Sequence, residues 1–94
     1  MPAYAMVRVD IHDPDEYAKY VPLAGAAVEK YGGEFLARGG EVAQMEGEGR
    51  GRNVLIRFKD FATAKAFYDS PEYQEALKFA LPASTRDYVI VEGL

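Results

Sequence analysis

The residue types that perform acid–base chemistry are scarce in this chain of 94 residues. His12 is its only histidine, and imidazole is the one side chain whose ordinary pKa lies near neutrality, which makes His12 the candidate catalytic base. Asp10 lies two residues earlier on the same predicted strand, where side chains stand roughly 6–7 Å apart, too far for a direct hydrogen bond. The alternative is that His12 is a solvated residue at the end of a strand.

Metal and cofactor chemistry find little support in the residues. The chain has no cysteine, so it has neither thiolate ligands nor disulfides. Asp10 and His12 alone fall short of a metal's ligand shell. The stretch Gly47 to Gly51 has the composition of a phosphate-binding loop, but such loops lead from a strand into a helix, whereas this one is predicted to join two strands. We therefore expect no metal and no cofactor.

Arginine and tyrosine side chains offer a second chemistry, the binding of a small carboxylate or another oxygenated ligand. A guanidinium group binds carboxylates through paired hydrogen bonds, and a tyrosine presents a hydroxyl on an apolar ring. The arginines fall on predicted strands, on the sheet face away from the helices; for Arg38 this requires that Phe35 and Ala37 face the helices. The tyrosines lie at a corner between two helical segments, where their alternative role is core packing. The candidate ligand-binding residues are Arg8, Arg38, Arg57, Tyr68 and Tyr73.

The same sheet face has another interpretation, that of a subunit interface. It mixes apolar and charged side chains, as protein interfaces do. In that case its arginines pair across strands with acidic neighbours, for which Asp10 and Glu92 are the candidates. Both interpretations stay open at this point.

The elements that position these residues follow from the apolar periodicity. Alternation over residues 4–12 predicts a first strand. Asp13 is a helix N-cap and Pro14 suits the first helical position, so a helix begins there and ends at Gly32-Gly33. Pro22 lies inside that helix and is expected to kink it.

The second half of the chain predicts the remaining elements. Ser70 precedes a proline, so it is interpreted as a helix N-cap and not as a nucleophile. The predicted elements are a strand over 34–46 with a bulge at Gly39-Gly40, a hairpin connection over 47–51, a strand over 53–58, a helix capped by Asp60, a further helix from Ser70-Pro71 to before Pro82, and a strand over 87–92. This order predicts an α+β, ferredoxin-like β-α-β-β-α-β domain spanning residues 1–94, a four-stranded antiparallel sheet with helices on one face.

Composition limits the possible partners. The net charge is −4 and 49% of the residues are apolar; the lysines and arginines are dispersed, which argues against nucleic acid as a partner. No apolar run reaches the ~18–20 residues needed to span a bilayer, and no signal peptide is recognisable, so cytoplasm is the expected compartment. A small chain with one uncovered sheet face is expected to bury that face in a homodimer.

Several motifs resemble a known family. They are Tyr31-Gly32-Gly33, Phe35, Arg38-Gly39-Gly40, the run from Phe67 to Gln74, and Val91-Glu92-Gly93, of which Asp69-Ser70-Pro71-Glu72-Tyr73 is the most specific. Together they resemble the family called domain of unknown function 1330, and the resemblance covers nearly the whole chain. It implies a dimeric α/β barrel, in which two ferredoxin-like sheets pack face to face. Ala80 departs from the family, whose members often carry arginine there.

The resemblance carries over no catalytic residue. The wider group includes cofactor-free monooxygenases, isomerases and decarboxylases. The leading hypothesis is a protein that binds a small carboxylate or oxygenated ligand in a cleft by the sheet; the alternatives are a cofactor-free enzyme and a purely structural or regulatory dimer. An enzyme should have a pocket that holds His12, or a tyrosine with a shifted pKa beside an arginine. A binding protein should have polar anchors without an acid–base pair, and a structural dimer should have no pocket.

Overall fold

Seven elements follow one another along the computed structural model, which describes residues 1–94. They are β1 (Ala3–Ile11), α1 (Pro14–Lys30), β2 (Glu34–Arg38), β3 (Arg52–Phe58), α2 (Phe61–Asp69), α3 (Pro71–Ala80) and β4 (Ser84–Glu92). The strands form one sheet in the order β2-β3-β1-β4, and all neighbours are antiparallel. This is the predicted ferredoxin-like topology, with the second helical region divided into α2 and α3.

The three helices begin where side-chain caps were predicted. The carboxylate of Asp13 accepts a hydrogen bond from the backbone N–H of Glu16 at 3.3 Å. Asp60 does the same at the start of α2, and the Ser70 hydroxyl accepts from a backbone N–H at the start of α3. Each bond satisfies a donor that would otherwise lack a partner in the first turn. Helix α1 continues through Pro22 as one element.

All three helices pack on one face of the sheet, which we call the helix-side face. The alternation of β1 places Ala3, Ala5, Val7 and Val9 on it, and they are the most buried residues of that strand. Aromatic rings from the helices close the core: Phe67 lies 5.1 Å from the Phe58 ring and 4.7 Å from the Tyr73 ring, centroid to centroid. Ile11, the last residue of the strand, continues this alternation but is exposed.

Two predicted strand boundaries are wrong by three residues or more, and β3 begins one residue before its predicted start, at Arg52. β2 ends at Arg38 and not at residue 46, because Gly39 has a φ of 70° and turns the chain out of the sheet. Strands β2 and β3 pair as the predicted antiparallel hairpin, but their connection runs over residues 39–51 and not only over 47–51. β4 begins at Ser84 and not at Asp87, since it pairs with β1 as far as Ile11. None of the three helices combines the length and apolarity that a membrane crossing requires.

Candidate functional site

A small cavity lies between α1 and the helix-side face of the sheet, with a free volume of about 30 Å³. That is the share of liquid volume that a single water molecule takes. Seven of its twelve lining residues are aliphatic or Phe side chains. The other five are polar or cationic, and they are Tyr17, Tyr20, Arg38, Arg52 and Tyr73. No carboxylate and no imidazole lines the cavity.

Strand register explains how two arginines reach this interior. Val9 pairs with Arg52 on one side and with Arg86 on the other. Because paired residues share a face, both arginines project from the helix-side face, on which Val9 is fully buried. Both are half-buried, and Arg52 Nε and Arg86 Nη1 are buried without a hydrogen-bond partner. Arginine does not shed its proton to escape burial, so these groups stay charged and need an acceptor.

Two tyrosine hydroxyls meet one of these guanidinium groups. The hydroxyls of Tyr20 and Tyr73 are 2.8 Å apart. Arg86 Nη2 donates to both, at 3.2 Å and 3.1 Å, and its guanidinium carbon lies 4.9 Å from the centre of the Tyr20 ring. Burial raises the pKa of Tyr73 well above the ordinary value of tyrosine. Tyr73 therefore stays protonated near pH 7.

The cluster formed by Tyr20, Tyr73, Arg86 and Tyr88 has more hydrogen-bond donors than acceptors to receive them. Between Tyr20 and Tyr73, one hydroxyl proton makes the mutual bond, and the other is free to point at a third group. Arg86 Nη1 has no acceptor, and neither has the buried hydroxyl of Tyr88 on the same strand. Every uncommitted group in the cluster is able to donate, and the only guaranteed acceptors are tyrosine oxygens that already accept from Arg86. A partner for this cluster must accept hydrogen bonds.

A β-bulge brings a third arginine to the cavity. Phe35 pairs with Ile56, but the register then shifts, so that Arg38 pairs with Val54. Arg38 thus returns to the side of Phe35, and its guanidinium carbon lies 4.1 Å from that ring's centre. Arg38 is exposed and forms the solvent-side edge of the cavity. From the sequence, Arg38 was predicted to lie on the face away from the helices, provided that Phe35 and Ala37 both face the helices. Ala37 instead pairs with Leu55 on the opposite face, so that placement of Arg38 is wrong.

Gly39 is required beside these arginines. A Cβ atom on Gly39 would collide with the Arg52 guanidinium group, and its positive φ is one that residues with side chains seldom adopt. The motif Arg38-Gly39 therefore supplies one cation to the cavity and leaves space for another.

The other predicted site residues lie elsewhere. Arg8 and Arg57 project from the opposite face of the sheet, which no helix covers and which we call the uncovered face. Part of the connection over residues 39–51 borders this face, where Arg8 Nη2 lies 3.4 Å from Gln44 Oε1. Tyr68 packs edge-on against Tyr88 at 4.9 Å and lines a separate, shallow cleft beside α2. His12 is exposed beyond the end of β1 and does not line the cavity. Of the predicted residues, only Arg38 and Tyr73 are brought together here.

The ion pairs predicted for Arg8 and Arg57 on the uncovered face are absent, and two ion pairs of Arg50 are found there instead. Asp10 pairs with Arg50 at 3.0 Å and not with Arg8, and Asp87 pairs with the same Arg50 at 2.7 Å. A hydrogen bond from the Gly51 N–H, and then Arg50, lower the pKa of Asp10. The connection over residues 39–51 places Arg50 at this end of the sheet, within reach of both Asp10 and Asp87.

Sequence reasoning missed Arg52, Arg86 and the two tyrosines of α1. The predicted strands began at residues 53 and 87, one residue beyond each arginine, so neither was assigned a face. A signal existed in the alternation: Arg52 continues the series of Val54 and Ile56, and Arg86 continues that of Tyr88 and Ile90. A charged residue in step with a buried series is an unusual placement that invites a functional explanation.

The fold defines this chain as a ferredoxin-like α+β protein with a cation-lined cavity beneath its first helix. A family model described as domain of unknown function (DUF1330) matches residues 2–94. The chain therefore belongs to that family, as the resemblance predicted. None of the curated proteins matches the chain.

Solved structures share the fold at low sequence identity. RPA0582, a protein of unknown function from Rhodopseudomonas palustris, has a TM-score of 0.79 at 18% identity, over 99% of this chain and 82% of its own. A dimeric ferredoxin-like protein of unknown function from Jannaschia sp. CCS1 has a TM-score of 0.77 at 16% identity, over 99% and 100%. SnoaB, a cofactor-independent oxygenase from Streptomyces nogalater, has a TM-score of 0.68 at 14% identity, over 99% and 93%.

Proposed function

We propose that this protein is a homodimer that binds a small carboxylate, or a similarly oxygenated molecule with an apolar body, in the cavity beneath α1. The observation that carries the proposal is the donor surplus. Arg38 and Arg52 line the cavity, Arg86 stands behind its tyrosines, and none of the three takes part in an ion pair. A carboxylate offers the acceptors that these groups lack, and the aliphatic lining suits an apolar body.

The lining favours binding over proton-transfer catalysis. It offers hydrogen-bond donors but no carboxylate and no imidazole, so no side chain there is suited to take a proton near pH 7. Tyr73 has a shifted pKa beside an arginine, but burial shifts it upward, so its hydroxyl stays protonated near pH 7 and is not available to take a proton. SnoaB shares the fold and is an oxygenase, which keeps a cofactor-free enzyme as the alternative. A purely structural dimer gives no reason for a half-buried Arg52 whose Nε has no hydrogen-bond partner.

The ligand needs more room than the cavity has at present. Its free volume of about 30 Å³ is smaller than an aromatic acid. Arg38 is exposed at its edge and is free to swing outward, so that a carboxylate exchanges its solvent contacts for contacts with Arg38 and Arg52. We expect binding to be accompanied by this side-chain movement.

Thermal unfolding with matched small molecules tests the proposal. Benzoate and benzylamine share an aromatic ring and carry opposite charges, so benzoate alone should raise the melting temperature. At a concentration one hundred times its Kd, a ligand adds about 2.7 kcal/mol to the free energy of unfolding. The variant Arg52→Met should lose most of this effect, and Lys78→Met, on the exposed side of α3, should keep it. Equal stabilisation by both compounds, or by neither, would contradict the proposal.

The uncovered face of the sheet supports the dimer. Met6, Val89 and Val91 lie there with exposed fractions of 41%, 52% and 44%, and Met6 pairs with both Leu55 and Val89. A contiguous apolar patch of this kind indicates an interface, and a two-fold axis buries it on both subunits at once. The solved relative from Jannaschia is itself dimeric. We expect the interface to exceed about 1,000 Å² in total.

Light scattering tests the dimer. The monomer has a mass of 10.4 kDa, so the expected result at micromolar concentration is twice that value. Val89→Lys should shift the mass toward the monomer, because it places a charge in the patch. Leu81→Lys, an exposed leucine at the end of α3, is the matched control and should remain dimeric. A wild-type mass of one chain would refute the assignment.

A further inference from the structure

The hydroxyls of Tyr20 and Tyr73 form a site that is more specific than a general carboxylate site. Tyr20 and Tyr73 come from different helices, yet their oxygens are 2.8 Å apart. Both oxygens accept from the same nitrogen of Arg86. A hydroxyl that accepts from a cation is polarised and becomes a stronger donor through its own proton. One such proton is uncommitted, and both tyrosines line the cavity.

We propose that the free hydroxyl proton of the Tyr20–Tyr73 pair, polarised by Arg86 behind it, binds the oxyanion of a phenol or enol, so that the ligand carries an ionisable hydroxyl opposite its carboxylate. This inference rests on the proposed function, because it places the carboxylate at Arg38 and Arg52. Preorganised donors aimed at one negatively charged oxygen are how proteins stabilise oxyanions in buried sites. Arg86 acts through the tyrosines and is a positioning residue here.

The spacing of the two arginines fixes the form of the ligand. Arg52 and Arg86 flank Val9 on neighbouring strands. Strands are separated by roughly 4.8 Å, so the two backbones are about 10 Å apart. The tyrosine pair is hydrogen-bonded to Arg86, and the cavity is lined by that pair and by Arg52. A planar ring with its carboxylate and its hydroxyl on opposite sides fits this arrangement.

The charges around the pair favour the ionised form of the ligand. The other titratable or charged groups that face it are Tyr17, Arg38, Arg52, Tyr68 and Tyr88. None of these groups is a carboxylate, and three arginines, Arg86 included, are cationic. A phenol that binds there loses its proton to the solvent, and the resulting phenolate is paired with fixed donors. No base in the protein is needed, because the ionisation is a part of the binding equilibrium.

A chromophoric ligand tests the inference directly. The phenol of 4-hydroxy-3-nitrobenzoate changes colour when it ionises, so its pKa can be titrated free and bound, and 3-nitrobenzoate is the same acid without the phenol. We expect the bound phenol to have a pKa at least one unit lower, which means that the phenolate binds at least tenfold more tightly than the neutral form. We also expect 4-hydroxy-3-nitrobenzoate to bind more tightly than 3-nitrobenzoate near neutral pH.

Single hydroxyl deletions locate the effect. Tyr20→Phe and Tyr73→Phe should each reduce the pKa shift in part, because the remaining hydroxyl still donates but has lost its hydroxyl partner. The double variant should abolish the shift, and all three variants should leave the binding of 3-nitrobenzoate nearly unchanged. Tyr20 is only partly buried, so its variant serves if Tyr73→Phe fails to fold. Tyr31→Phe is the matched control, because the Tyr31 hydroxyl bonds to Glu72 outside the cavity, and it should keep the full shift.

The possible results separate this inference from the proposed function. If both probes bind and the phenol keeps or raises its pKa, the oxyanion site is wrong and carboxylate binding stands. If the shift survives both tyrosine deletions, the tyrosines are not its source and the inference is overturned. If neither probe binds, the proposed function itself fails, and the inference fails with it.

Discussion

Replacing Arg52 by methionine should make the ligand-free protein more stable. The Arg52 side chain is half-buried, its Nε has no hydrogen-bond partner, and it belongs to none of the ion pairs. A buried donor left without a partner costs about 1–3 kcal/mol. Methionine retains an unbranched apolar stem without the charge. The free energy of unfolding should therefore rise by about 1–2 kcal/mol, opposite to the usual effect of changing an interior residue.

Urea and thermal denaturation of the wild type and two variants provide the measurement. In a domain of this size each kcal/mol changes the melting temperature by about 4–8 °C, so the expected gain is easily resolved. Lys78→Met removes a cation from an exposed pair on α3 and should change stability by less than about 0.5 kcal/mol. If Arg52→Met is instead less stable than the wild type by more than about 1 kcal/mol, Arg52 supports the fold, and the argument from uncompensated donors is wrong.

Three other changes test the surroundings of the cavity. Gly39→Ala should destabilise by about 1–2 kcal/mol, because φ is +70°, and should weaken benzoate binding by displacing Arg52; unchanged benzoate binding would contradict this. Ser70→Ala removes the N-cap of α3 and should cost about 1 kcal/mol in urea denaturation, with benzoate binding retained. The lowered pKa of Asp10 contributes stability above the ordinary carboxyl pKa of about 4, which is lost as the pH falls through the folded value. Arg50→Ala should reduce that acid-dependent loss in urea titrations between pH 7 and 3, and an identical pH profile would refute the pairing.

Local chemistry made much of the fold predictable. Asp13, Asp60 and Ser70 each precede a helical pattern, and each caps a helix in the structure. Capping depends on groups three residues apart, so sequence alone reports it. The strand order follows from the sequence of elements and from right-handed crossovers, which leave few alternatives.

The cavity was not predictable from the same signals, because it depends on register. Arg38 reaches the helix side only through the shift between Phe35 and Ala37, and a bulge of this kind leaves little trace in an alternating pattern. Arg52 and Arg86 each stand at the start of an alternating series, two residues before its first apolar member, so a search for apolar residues begins after them. Tyr20 and Tyr73 are 53 residues apart in the chain and lie on different helices. The periodicity of neither helix indicates that their hydroxyls meet.

In this proposal the helix-side face of the sheet binds the ligand and the uncovered face forms the dimer. Consecutive residues of β1 alternate between them: Met6 and Arg8 lie on the uncovered face, whereas Val7 and Val9 lie beneath α1. Dimer formation through the uncovered face leaves the cavity and its edge at Arg38 open on the other side. Changes on the two faces should therefore be nearly additive in free energy, as distant sites without shared partners are. Both faces depend on the same strand register. A slip of one residue would place Arg52 and Arg86 in the interface and the apolar patch in the cavity.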